Sequence, residues 1–217
     1  MARPAKAVRL TVTIVGAAYA VALYVSGVHI QAGWKHALSY LPTLLTFAVA
    51  LWDIWLWRLL GLQRLAKRPW IAGIWKATLI PTAASKIPEG GNRGPIDAYV
   101  IITQTFWSIG VRQYTAESRS DSRAAMWDDA PAGTDKTLTY TYTNRPRREL
   151  EDRSKAHLGT AALDIVGLRP TTMTGDYFSD RYTQGDMRLT LVDRSRDHSD
   201  YASAEQHWRS TLPSDSR

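Results

Sequence analysis

Two short runs carry the side chains best suited to holding a ligand. Tyr140-x-Tyr142-x-Asn144 and Tyr177-x-Ser179-x-Arg181 repeat with a period of two, which places alternate residues on one face of a β-strand. Aromatic rings stack on flat heterocycles, an amide reads the edge of a base, and a guanidinium makes charge-assisted bonds to phosphate. If both faces point inward, these residues are the polar part of an otherwise apolar chamber. A third alternating set, Thr103, Thr105 and Trp107, adds the Thr105 hydroxyl to the candidate contacts. Strand tyrosines also serve as plain filling, and an arginine beside a turn can stay in water. Placement decides between pocket and packing.

Catalytic chemistry is not indicated. The absence of cysteine removes disulfides, thiolate nucleophiles and Cys-ligated zinc. The histidines at 29, 36, 157, 198 and 207 have no metal-ligand spacing, and no nucleophile-elbow, zinc-protease or phosphate-loop motif occurs. Asp128-Asp129 and Glu149-x-Glu151-Asp152 read as solvated turns. His157 and Asp164 differ by seven residues, so on one strand they point to opposite faces. No enzyme, metal or cofactor is expected.

The elements that must position these groups are short strands. Breaker residues divide the chain into candidates at 70–80, 98–105, 108–115, 118–127, 137–144, 157–165, 173–181 and 185–192. Even spacing without intervening helical pattern reads as an all-β sandwich or barrel. Eight successive strands favour an antiparallel barrel, because closure leaves no edge. Trp75, in Gly73-Ile-Trp75, resembles the Gly-x-Trp that plugs one end of lipocalin-type barrels. The expected domain is 67–192, with 145–156 as a mixed-charge solvated loop. A polar tail, 193–217, has room for a short helix around Tyr201–Trp208.

The first third differs. Residues 10–28 carry no charge, and 38–57 carry only Asp53. Each run approaches the roughly 20 apolar residues needed to cross a bilayer. This predicts a two-helix transmembrane hairpin over 1–66, with spans at about 10–30 and 38–58 and Pro42 in the first turn of the second. A signal peptide is the alternative, disfavoured by the long apolar core and the second span. Arg3, Lys6 and Arg9 precede the hairpin; Arg58, Arg64, Lys67 and Arg68 follow it. Both termini then face the cytoplasm, with Trp52, Trp55 and Trp57 as an interfacial belt. Asp53 reads either as an intramembrane functional group or as a side chain reaching interfacial water. The formal charge of +7 resides wholly in residues 1–68, and the remainder is neutral. That excludes a globally basic protein binding DNA or RNA polymer.

The order of features resembles a known family. A membrane hairpin leads to Gly73-x-Trp-x-Ala-x-Leu79, Ile102-Thr-Gln-Thr105 and a Ser-alternating strand. Tyr140-x-Tyr-x-Asn-x-Pro146, His157-x-Gly159 and Tyr177-Phe-Ser-Asp-Arg-Tyr-Thr-Gln-Gly185 follow. Over about 8–192 this is similar to the two-span, β-barrel cyclic-dinucleotide-receptor effectors of bacterial cyclic-oligonucleotide antiphage signalling (CBASS). The resemblance implies a cyclic dinucleotide made by a partner nucleotidyltransferase and bound in the barrel. It further implies ligand-promoted homo-oligomerisation and disruption of the inner membrane by the spans. Within those motifs, Tyr140, Tyr142, Asn144, Tyr177, Arg181 and Thr105 are the expected contacts. The competing expectation is a membrane-anchored lipocalin-like carrier of a small apolar molecule, which needs no Arg or Asn inside.

Overall fold

A computed structural model describes residues 3–25, 32–87, 89–129, 135–152 and 154–212. The chain divides into two compact units, 1–66 with 105–108 and 67–104 with 109–217.

The first unit contains α1 (Arg3–Val25), α2 (Ala32–Ile54), a 3-10 turn at Leu56–Arg58 and α3 (Leu60–Ala66). The end of the first expected span and the start of the expected connection lie outside the described residues; from Ala32 onward the residues expected to form a tight turn belong to α2 instead. A Cβ on Gly16 would come within 2.8 Å of the Pro42 Cβ, so a glycine here lets the two helices approach closely. Pro42 lies inside α2 and not in its first turn, because the helix begins as early as Ala32. Its carbonyl accepts the Thr46 hydroxyl at 2.9 Å.

The expected second span, to residue 58, ends early. In a continuing helix the Asp53 carbonyl would take the Trp57 amide. Here it accepts the Trp57 indole N–H at 3.1 Å and the Phe106 amide at 2.9 Å. The Asp53 carboxylate accepts the Trp107 amide at 3.2 Å. Both Asp53 and Trp57 are fully buried, and Phe106 packs edge-on against Trp52 and Trp57. Trp57 is therefore buried and not part of an interfacial belt, and the Asp53 carboxylate does not reach interfacial water. α1 and α2 are 23 residues each, yet among the described residues no helix is both long and apolar enough to cross a membrane. Their outer faces still present Leu10, Ile14, Val15, Leu44 and Phe47 to the surroundings.

The second unit contains β1 (Gly73–Pro81), β2 (Ile96–Gln104), β3 (Ile109–Thr115), β4 (Ser118–Asp129), β5 (Lys136–Pro146), β6 (His157–Ile165), β7 (Thr172–Ser179) and β8 (Gln184–Asp193). They pair antiparallel in chain order, and β8 closes on β1 into a barrel. Alternate residues fill the interior, among them Ala77, Val100, Ile102, Val111, Leu138, Leu163, Met187 and Leu189. One end is sealed. Trp75 is completely buried, its indole N–H donating to the Ile71 carbonyl at 2.9 Å. Gln104 accepts the Ile71 amide and donates to the Pro69 carbonyl, while the Arg194 guanidinium donates to the carbonyls of Trp70, Ala72 and Pro170.

The tail does not trail free of the barrel. α4 (Tyr201–Thr211) starts at Asp200, whose side chain accepts the Ser203 amide, and packs on the outer face of Ile74, Tyr99, Ile101 and Tyr114. His207 pairs with Asp193 at the end of β8.

Truncating the plug tests the sealed end. Trp75→Ala removes a fully buried indole with its hydrogen bond and is expected to cost about 3–5 kcal/mol. A denaturant titration should show the midpoint falling with the slope unchanged.

Candidate ligand-binding site

The end opposite Trp75 is open, and a cavity of about 330 Å³ enters the barrel there. Its floor and walls come from strand interiors; its rim comes from the β1–β2, β3–β4, β5–β6 and β7–β8 connections. Leu79, Ile96, Ala161 and Met187 supply apolar wall, while Ser118, Ser120, Tyr140, Tyr142, Asn144, Tyr177 and Arg181 supply polar groups.

β5 places three of these by simple alternation. Leu138, Tyr140, Tyr142 and Asn144 face inward, with the intervening threonines outside. Each ring faces a small residue across the ladder. Tyr142 pairs with Gly159, where a Cβ would collide with the phenol, and Tyr140 pairs with Ala161. Tyr177 on β7 lies between Ala161 and Gly185. The Tyr140 and Tyr142 rings meet at a tilt of 49° with centroids 6.2 Å apart. Burial raises all three phenol pKa values, so each hydroxyl stays neutral and able to donate. Among the described residues, none of the three hydroxyls has a hydrogen-bond partner in the protein. The Asn144 amide group donates to the Ser118 and Ser120 hydroxyls at 2.9 Å each, which aims its carbonyl oxygen elsewhere.

Arg181 arrives by another route. β7 ends at Ser179, and Arg181 sits in the following turn, where Tyr182 adopts a positive φ of 61°. Its amide donates to the Ser179 hydroxyl at 3.3 Å, and its guanidinium donates to Ser154 at 2.8 Å. The guanidinium thus lines the cavity because of the turn, not through strand parity with Tyr177. Thr105 is not part of the cavity. It lies in the turn between β2 and β3, exchanging hydrogen bonds with Ser108, and Thr103 points outward, because Gln104 occupies the inward position.

Several lining residues escaped the sequence reading. Leu150 and Ser154, from the segment expected to be a solvated loop, form part of the rim beside a 3-10 turn at Arg148–Leu150. His157 heads β6 at the mouth, its Nδ1 facing the Lys155 carbonyl at 3.2 Å. Burial lowers its pKa below the usual range; the carbonyl opposes the shift, and nearby Arg181 adds to it. Its sequence signs were the His157-x-Gly159 motif and its place at the head of a strand next to the Tyr-rich one. Tyr201, at the start of α4, also borders the cavity.

The arrangement has rings, neutral donors, an amide and one guanidinium, with the exposed carboxylates Asp97 and Glu117 also on the rim. Among the described residues there is no cluster able to hold a metal. The geometry suits a flat, polar, anionic ligand better than an apolar one, which would leave the hydroxyls of Tyr140, Tyr142 and Tyr177 unpaired.

Residues 66–191 match the family model described as "Cap15, cyclic dinucleotide receptor domain". The chain is also 30% identical over 159 residues to the CD-NTase-associated protein 15 of Staphylococcus schleiferi, covering 73% of this chain and 81% of that one. With more than half of its length in the family match, and a relative that similar over most of both chains, this chain belongs to the Cap15 cyclic-dinucleotide-receptor family.

Proposed function

We propose that the chain is a CBASS effector whose barrel binds a cyclic dinucleotide, with no catalytic step of its own. One observation carries this reading: Tyr140, Tyr142, Tyr177, Asn144 and Arg181 converge on a single cavity at the open end of the barrel. The rings offer stacking surfaces for a base, the Asn144 oxygen accepts from a base edge, and Arg181 with His157 meets a phosphate at the mouth. The placement of Arg181 and Asn144 argues against an apolar cargo.

We further propose that the helical hairpin lodges in the inner membrane with both termini cytoplasmic. Ligand binding then promotes assembly, and the assembled helices breach the bilayer. What supports this is the apolar outer surface of α1 and α2, larger than a helix pair surrounded by water normally keeps. The cationic flanks at 3–9 and 58–68 point the same way. The close approach at Gly16 pairs the two helices, so they insert as one unit. A ligand favouring the assembled state shifts the population toward it.

Arg181→Ala should weaken cyclic-dinucleotide binding roughly ten- to a hundredfold, the worth of one charge-assisted hydrogen bond. Titration calorimetry against a panel of cyclic di- and trinucleotides reads this, and no binding across the panel refutes the receptor assignment. Salt should reduce affinity only modestly, since few phosphates are contacted.

The pH dependence has a definite sign. In the free protein His157 titrates below its unfolded value of 6.5, so its stabilising contribution is present above that value and lost as pH falls. A bound phosphate raises the His157 pKa. Binding then takes up a proton, and affinity increases as pH drops through the imidazole range. His157→Gln should flatten that profile in calorimetry at successive pH values.

Deleting residues 1–60 should leave ligand binding intact and abolish ligand-dependent leakage of dye from vesicles. Leakage caused by the truncated protein would exclude the hairpin as the membrane-active part.

A further inference from the structure

β4 is longer than its neighbour can cover. It pairs with β5 along its whole length, from Ser118 to Asp129. With β3 it pairs only through Arg119, Ser120 and Asp121. A bulge at Arg123, between Ser122 and Ala124, bends it away. Beyond the paired stretch the Val111 amide is taken by the Ser122 hydroxyl at 2.9 Å instead of by β4 backbone. Residues 123–129 therefore form a strand edge within an otherwise closed barrel, a template for another strand.

We propose that this edge pairs with the same edge of a second copy, antiparallel about Met126, to form a two-fold dimer. The charge pattern selects this occupant. Arg123 and Ala124, at the bulge, are both exposed, as are Met126 and Asp128, so all four present one outer face. Antiparallel pairing about Met126 sets Asp128 of each copy opposite the Arg123–Ala124 bulge of the other. Parallel pairing would instead stack arginine on arginine and aspartate on aspartate, which is unfavourable. Ala125 and Trp127, half-buried on the other face, would pair with each other. Because the same patch serves both copies, the contact closes on itself and is isologous. The run contains neither proline nor glycine to obstruct a ladder.

The proposal goes beyond the receptor reading and does not depend on the ligand. The natural lack of cysteine makes the test clean. In the two-fold pairing, the two Met126 residues are directly opposite, with Cβ atoms about 4.5–5.5 Å apart, close to disulfide range. The full chain in detergent micelles, carrying Met126→Cys, should form a disulfide-linked dimer under mild oxidation. Val166→Cys, at a position still more exposed and away from this edge, should remain largely monomeric. Adding Asp128→Arg to Met126→Cys should reduce cross-linking at least tenfold. Adding Arg123→Asp as well should restore it. Equal cross-linking at 126 and 166, or indifference to both charge changes, overturns the interface. Running the series with and without cyclic dinucleotide separates the two claims: failure of the ligand to bind strikes the receptor assignment, whereas absence of the Met126 cross-link strikes the dimer.

Discussion

The site depends on one steric constraint, the crowding inside a closed eight-stranded ladder. Once β8 pairs with β1, every second residue of every strand is committed to one small chamber. Eight strands hold too many inward positions for all to be large. Small residues must stand where the aromatic rings turn inward, and here they do so pair by pair. Gly159 yields to Tyr142, Ala161 to Tyr140 and Tyr177, and Gly185 to Tyr177. The apolar half toward Trp75 is filled solid by aliphatic side chains. The half toward the mouth is left as a cavity walled by phenols and serines.

The electrostatics follow the same division. The excess positive charge belongs to the N-terminal third, and the barrel with its tail is neutral overall. An anion entering the cavity therefore meets no broad basic field. It meets one guanidinium, held by Ser154, and one imidazole kept largely neutral by burial and by that guanidinium. Such a site is inexpensive when empty, because its guanidinium is bonded to Ser154 and the lining carboxylates, Asp97 and Glu117, stay exposed. It gains a second positive charge when a phosphate arrives to support it.

Strand parity was legible in the sequence wherever the strand itself did the placing. Tyr140, Tyr142 and Asn144 could be assigned to one face from spacing alone, and all three line the cavity. So could Tyr177. Arg181 met the cavity for a different reason, since period two stops at Ser179 and a turn carries it inward. Thr105 shows the opposite failure: spacing continued the pattern past the end of β2, where the backbone had already left the strand. Long-range partners were the other blind spot. Nothing in the apolar run of α2 announces that the Asp53 carbonyl will be taken by an indole and by the Phe106 amide, ending the helix at Ile54. Nor does a mixed-charge loop announce that its Ser154 will steady an arginine.

Site and strand edge meet on β4. Ser118 and Ser120 accept the Asn144 amide, and Ser122, next along the same inward row, accepts the Val111 amide in place of a backbone carbonyl. This line of hydroxyls joins β5, β4 and β3 where the β3–β4 ladder is shortest. A ligand group that competes for the Asn144 amide must take it from Ser118 and Ser120, so the cost falls on β4. The bulge at Arg123 begins one residue beyond Ser122 and sets the direction of the overhanging edge. Whatever repositions the serine row thus acts through a few covalent bonds on the stretch of β4 that β3 leaves unpaired.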